Sequence, residues 1–361
     1  MRYFVTLVLI LLLAAAATAG FFWYSIEKPF GKFPSEGVFV EIPHGVSQRT
    51  AARILKRNGV IRSSIALELY SRRHSRRSLQ AGEYFFDHPL TGKEVFWKIA
   101  KGEVYQQPFT VKEGDTIFDI AHNLEAANSM KAAEFLKAAR DASAIQEFAP
   151  GAKSLEGFLF PATYNLPRRV APADLTAMMV RKFREAVQQV APDRLDPLTP
   201  GTPLLSVVTL ASLVESETPK PEERPLVAGV YTNRLREGML LQCDPTVIYA
   251  LKQADAYKPP LLLKDLRFDS PYNTYVHSGL PPGPIGNPGE SAIRAALAPA
   301  PTDFLFFVAN TEGGHFFAAT LAEHNRNVAK YHRLLNGEPA DPPVIEAQRA
   351  HTPGPARKGI R

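Results

Sequence analysis

The sequence predicts an α+β chain: an N-terminal membrane helix, a region of strand–turn–helix repeats, then a mixed α/β domain closed by a hairpin and a helix. Three observations carry this. Tyr3 to Ile26 contains no charged residue. Two short β-type runs, Val38–Ile42 and Phe109–Val111, each lead through a Gly turn into a helical apolar pattern. Beyond residue 160, apolar stretches at helical spacing are followed by two aromatic runs split by Thr311-Glu312-Gly313-Gly314, which is how a hairpin reads.

Composition sets the outer limits. The 361 residues are 45% hydrophobic and 22% charged, an ordinary globular balance with room for two or three domains. The 31 prolines predict many loops and argue against a simple helical bundle. One cysteine excludes a disulfide framework and any Cys-based metal cluster. The nine histidines are scattered, so no metal and no cofactor is expected. The net charge of +6 is spread along the chain. A nucleic-acid partner is therefore not expected, since such proteins cluster their basic residues. A polyanionic cell-surface polymer or a membrane surface stays open.

The first segment is long enough to span a bilayer, which takes about 20 apolar residues. Arg2 precedes it, and Phe21, Phe22, Trp23 and Tyr24 close it with an interfacial aromatic belt. A cleaved signal peptide is the rival, because Ala14–Gly20 is rich in small residues. The apolar run continues past that region to Ile26, which favours a retained anchor over residues 1–26. Either way the rest of the chain is expected outside the cytoplasm. Residues 27–37 read as a polar linker.

The repeat comes next. Gly45-Val46-Ser47 precedes Ala51, Ile54 and Leu55; Gly114-Asp115-Thr116 precedes Ile117, Ile120, Ala121 and Leu124. Ser47 and Thr116 are placed to cap helices by accepting backbone N–H bonds. The second copy, VKEGDTIFDIAHNL, resembles the LysM module, a small βααβ unit that recognises N-acetylglucosamine-containing glycans; the first copy matches less well. That resemblance makes 38–148 a LysM-like, glycan-binding region, with a generic strand–turn–helix as the alternative. Arg72, Arg73, Arg76 and Arg77 surround His74; a solvated helix face is the plain reading, and contact with anionic headgroups or glycan carboxylates is the other.

A boundary falls between Ala149 and Pro161. Asp174 to Val190 then carries Leu175, Met178, Met179, Phe183 and Val187 at helical spacing. Pro203 to Thr218 is mostly apolar and so reads as a helix buried on most sides, stopped by Pro219 and Pro221. The hairpin over Phe304–Asn310 and His315–Thr320 leads to Thr320-Leu321-Ala322-Glu323, a capping-box spacing that opens a helix from Leu321 to Leu335. The domain is assigned to 155–336. The Pro-rich tail, 337–361, is expected to be disordered.

The buried helix ends in Glu215 and Glu217. Residues i and i+2 lie about 200° apart on a helix, so the two do not form a catalytic dyad by themselves. Glu217 shares a face with Leu210, Leu213 and Val214, and Glu215 with Val208, Ala211 and Ser212; periodicity does not choose between them. In the last turn the negative end of the helix dipole disfavours a carboxylate. A partly buried carboxyl there should have a raised pKa, as a general acid at a glycosidic oxygen requires. An ion pair with Arg224 or Arg234, or plain solvation, is the alternative. There is no phosphate-binding loop, no H-E-x-x-H and no G-x-S-x-G.

LASLVESET, VAGVYTNRLREGMLLQCDPTVIYAL and SPYNTYVHSGLPPGPIGNPG together closely resemble the endolytic murein transglycosylases, the MltG/YceG-like family. The anchor, the LysM-like region and the final HFFAATLAEHN fit the same layout over residues 1–335. The resemblance implies that Glu217, the second Glu of E-x-E-T, is the catalytic acid/base and that Glu215 supports it. It further implies that Glu223, Asn233, Arg234, Gln242, Asp244, Tyr272, Asn273 and Tyr275 line the glycan groove. Cys243 departs from the small hydroxyl residue the family pattern suggests, and reads as packing. The implied reaction cleaves the bond between N-acetylmuramic acid and N-acetylglucosamine inside nascent strands and leaves 1,6-anhydro ends, a means of terminating strand elongation. Glycan strands are then the substrate, the lipid bilayer is met through residues 3–26, and peptidoglycan synthases are candidate partners. The implied location is the inner (plasma) membrane, single-pass, with a periplasmic catalytic domain. A non-catalytic LysM-type scaffold and a muramidase-type hydrolase are the competing readings.

Overall fold

The computed structural model describes residues 1–31, 33–74, 78–196, 201–337 and 339. Two compact units emerge: Met1–Thr110 with Thr163–Val170, and Val111–Ala162 with Ala171–Arg361. The first unit holds α1 (Arg2–Glu27), β1 (Val38–Ile42), α2 (Gln48–Arg57), α3 (Ser64–Arg73), β2 (Gly82–Phe86), α4 (Gly92–Ala100), β3 (Gln107–Thr110) and β4 (Thr163–Leu166). The second holds α5 (Ile117–Ala126), α6 (Ala132–Ala139), α7 (Pro172–Val190), α8 (Leu204–Glu217), α9 (Arg224–Arg236), α10 (Asp244–Gln253), α11 (Glu290–Leu297), β5 (Phe306–Ala309), β6 (His315–Ala318) and α12 (Leu321–Leu335).

Among the described residues the strands form three separate antiparallel pairs: β1 with β2, β3 with β4, β5 with β6. Both repeat copies therefore run strand, helix, helix, strand, and in each the outer strands pair, Val38 opposite Phe86 and Gln107 opposite Leu166. The chain turns at Gly45 and Gly114 with φ of +76° and +82°, conformations that cost glycine nothing. The Ser47 hydroxyl accepts from Thr50 N–H, and Thr116 and Asp119 complete a capping box. These are the caps the spacing predicts.

The first unit packs around Tyr84, Phe86, Phe96, Leu55 and Leu67, all at most 1% exposed. Arg72 and Arg73 lie in the last turn of α3, where Arg72 pairs with Glu68 at 2.7 Å. His74 packs its ring on Tyr70, Phe96 and Trp97. Arg76, Arg77 and all of the 337–361 tail except Gly337 and Pro339 lie outside the described residues. α1 is long and apolar enough to cross a membrane and is a candidate anchor.

In the second unit α8 is buried from Val207 through Val214, as its composition predicts. Phe148, Phe158 and Phe183 form a ring cluster with centroids 5.0–6.3 Å apart. β5 pairs with β6, and Thr320 and Glu323 cap α12 reciprocally. The chain passes from one compact unit to the other at Val111, Thr163 and Ala171, so residues 111–162 belong with the later chain. The reason is a set of long-range bonds. Gly114 N–H donates to the Asn287 carbonyl at 2.8 Å and Asn287 N–H to the Asp115 carbonyl at 3.0 Å. Gly286 permits this approach, since a Cβ there would lie 2.6 Å from the Gly114 carbonyl oxygen.

Candidate active site

α8 delivers Glu215 and Glu217 in its last turn, and Thr218 leaves the helix in an extended conformation. The two carboxyls enter different surroundings. Glu215 has a side chain only 5% exposed and is ion-paired with Arg224, also 5% exposed. Its other oxygen accepts from Gly289 N–H at 2.9 Å. Arg224 reaches Glu113 as well, at 3.4 Å. Burial raises the Glu215 pKa, while the Gly289 N–H and the Arg224 charge oppose that rise and Glu113 adds to it. Of the alternatives open from sequence, the ion pair with Arg224 is the one realised, and it belongs to Glu215.

Glu217 accepts from the Tyr231 hydroxyl at 2.7 Å. Its pKa is raised, chiefly by burial; hydrogen bonds from Tyr231 and the Cys243 thiol lower it, the Asp244 charge raises it, and His315 lowers it. Tyr231 comes from α9 and is 1% exposed. Cys243 is fully buried and packs against Glu217 and Tyr231, and burial pushes its thiol well above the ordinary range. This thiol is a neighbour of the candidate acid and is packed, as sequence suggests, rather than exposed.

Glu223 lies beside this pair. It accepts from His315 N–H at 3.0 Å, from the His315 ring at 2.7 Å and from the Thr218 hydroxyl at 3.2 Å. Burial pushes its pKa up, but these bonds outweigh it and leave the carboxyl below the usual range. Asp244 opens α10, where a helix N-terminus favours negative charge, and accepts from the Tyr275 hydroxyl. Gln242 is exposed with φ of +51°. Tyr272 packs its ring against Tyr249 at an interplanar angle of 50°, with centroids 4.9 Å apart.

Three of the residues singled out for the groove turn inward. Asn233 donates to the Thr302 and Phe304 carbonyls at 2.7 and 3.0 Å. Arg234 donates to the carbonyls of Leu305, Leu240 and Leu241. Asn273, fully buried, donates to Leu266 and Phe268 and accepts from Tyr275 N–H. Their polar atoms satisfy loop backbone that would otherwise be buried unpaired, so they hold the walls of the site.

Sequence reasoning missed Glu156. It is 1% exposed; Ile117 N–H donates to it at 3.1 Å, and Asn287 Nδ2 at 3.3 Å. Tyr249 also bonds it, and burial raises its pKa to about 8. Asn287 in turn accepts from Leu159 N–H. Glu156 thus ties the start of α5 to the loop that supplies Gly289 to Glu215. Nothing local in the sequence marks it. Among the described residues no group of three or more His, Cys, Asp or Glu side chains is placed to hold a metal ion.

Comparisons with known proteins bear on this arrangement. The profile of the YceG-like family matches residues 40–330. An endolytic murein transglycosylase of Bacillus subtilis is 34% identical over 322 residues, covering 85% of this chain and 88% of that protein. One from Streptococcus pneumoniae is 29% identical over 353 residues, 88% of this chain but 63% of the longer relative. The crystal structure of a YceG-like protein from Listeria monocytogenes superposes with a TM-score of 0.51 at 31% identity, covering 81% of this chain and 99% of that one. The chain belongs to the YceG-like family.

Proposed function

We propose that this protein is a lytic transglycosylase that cuts peptidoglycan strands internally, with Glu217 as the single acid/base. The observation that carries this reading is the difference in partners at the end of α8. Glu215 is engaged by a guanidinium and a backbone N–H, which only donate. Glu217 is engaged by a phenol and a thiol, which can donate or accept. Glu217 can therefore exist with or without its proton at little hydrogen-bonding cost. Its burial-raised pKa favours the protonated form from which a reaction starts.

Protonated Glu217 gives its proton to the oxygen linking N-acetylmuramic acid to N-acetylglucosamine, and the bond from that oxygen to the muramic C1 breaks. The Glu217 carboxylate then takes the proton of the muramic 6-hydroxyl, whose oxygen bonds C1 and closes the 1,6-anhydro ring. No water is consumed and Glu217 ends protonated, as it began. Exposed Gln242 and Asp244, with Tyr272 and Tyr275, are the groove residues in this reading. The two strand–helix–helix–strand segments are LysM-like and hold the polymer. α1 keeps the enzyme at the membrane with the catalytic unit outside the cytoplasm, near newly made strands and the synthases that make them. Strand termination follows from such cuts.

A muramidase-type hydrolase has one observation in its favour. The Asp244 charge acts on Glu217, and a hydrolase needs a second carboxylate. Mass spectrometry of glycan strands after incubation with the full chain separates the two. The expected ends are anhydro ends, one water lighter than hydrolysed ends. Hydrolysed ends would assign Asp244 the second role, and uncut strands would leave only a glycan-binding scaffold.

A further inference from the structure

We propose that the α2–α3 helical pair of the first unit is a second membrane contact, a basic and apolar face that rests on anionic phospholipid beside the point where α1 leaves the bilayer. The argument begins inside the first unit and rests on the reading of α1 as a retained span.

α1 does not end in a free tether. Its Phe22 and Ile26, one turn apart, pack into the core that contains Val40, Leu55, Leu67 and Phe96. The Arg62 guanidinium sits over both the Tyr24 and Phe30 rings, 4.5 and 4.6 Å from their centroids. Phe30 pairs with Leu90. Counted from Tyr3, the roughly 20 residues that cross a hydrocarbon core end near Phe22, where the folded body begins. The body is therefore built onto the helix at the level of the headgroups, with no slack to lift it away.

What α3 shows on its outer side fits that position. Ile65 and Leu69 are 61% and 47% exposed. With Arg72 and Arg73 they occupy positions i, i+4, i+7 and i+8, one stripe of the helix. The opposite stripe, Ala66, Leu67 and Ser71, is buried. α2, packed against α3, adds Arg49, Arg53, Lys56 and Arg57 and carries no acidic residue. From Gln48 to Arg73 there are seven basic residues and one acid, Glu68. A bilayer boundary covers exposed large apolar side chains, and each Lys or Arg near an anionic surface adds electrostatic attraction to it. This charge balance commits the occupant to anionic lipid.

The test uses the full chain in vesicles with and without phosphatidylglycerol, with single bimane probes at Ile65→Cys, Leu69→Cys and, within the span, Leu11→Cys; Cys243 is buried and does not compete for label. Nitroxide-labelled lipid should quench the probes at 65 and 69, and Arg72→Glu/Arg73→Glu should reduce that quenching toward the level in detergent with an unchanged circular dichroism spectrum. Quenching at 11 without quenching at 65 and 69 would overturn this inference and leave the span intact. No quenching at 11 would sink the span and this inference together. Protection of 65 and 69 that appears only with added glycan, or equally in vesicles lacking phosphatidylglycerol, would also overturn it.

Discussion

Glu215 and Glu217 stand two residues apart on α8, yet the regions they enter differ in what their partners can do. On the Glu215 side, Arg224 and the Gly289 N–H are obligate donors, and Arg224 is itself buried. Taking the charge off Glu215 would leave the buried Arg224 only its 3.4 Å contact to Glu113. On the Glu217 side, Tyr231 and Cys243 satisfy either protonation state. On the proposed reading, burial alone does not make a general acid, since burial raises both pKa values. A general acid also needs neighbours that tolerate the proton's departure and return.

The sharpest way to break this comparison is to neutralise each carboxyl in turn. Glu217→Gln should lower turnover on glycan by about 10²–10⁴ or more, with an unchanged circular dichroism spectrum. Glu215→Gln should be milder. If Glu215→Gln were the more damaging to turnover, the roles would be reversed.

The second test removes the fixed cation. Arg224→Met leaves Glu215 without its ion pair and should destabilise the fold by about 3–5 kcal/mol, the range for breaking a buried pair. Urea unfolding measures this. A loss under 1 kcal/mol would mean Glu215 is not held as drawn.

Third is Glu156, which braces the Glu215 side from behind. Its folded pKa of about 8 exceeds its ordinary value of 4.5. The folded state then holds a proton that the unfolded chain has released. This stabilisation is fully present below about 4.5 and is lost as pH rises through about 8. Between these values stability should fall with a slope approaching 1.4 kcal/mol per pH unit at most, about the worth of one proton. Glu156→Gln should flatten the curve, and an equal slope in that variant would assign it to other groups.

The smallest effect is expected at Tyr231. Its hydroxyl favours the ionised form of Glu217, so Tyr231→Phe should raise the Glu217 pKa further. Activity that needs protonated Glu217 falls as pH rises through that pKa. The alkaline limb of kcat/KM should therefore move up in the variant. A limb that stays in place would remove Tyr231 from the proton's path.

Local signals alone determined much of this protein. The apolar run of α1, the limits of α8, the Ser47, Thr116 and Thr320 caps and the β5–β6 hairpin are each written within about 15 residues, because capping, periodicity and turn chemistry act over that range. The E-x-E-T pattern placed the chemistry at the end of α8 by resemblance, yet periodicity could not separate Glu215 from Glu217. The tertiary structure distinguishes their surroundings through partners far along the chain: Gly289 for Glu215, and Tyr231 and Cys243 for Glu217. It also turned Asn233, Arg234 and Asn273 inward and brought Glu156 to Ile117 and Asn287 across 39 and 131 residues. A polar side chain's identity in sequence states what it can bond. Which buried backbone or charge is left needing that bond depends on how distant segments pack, and no local pattern carries it.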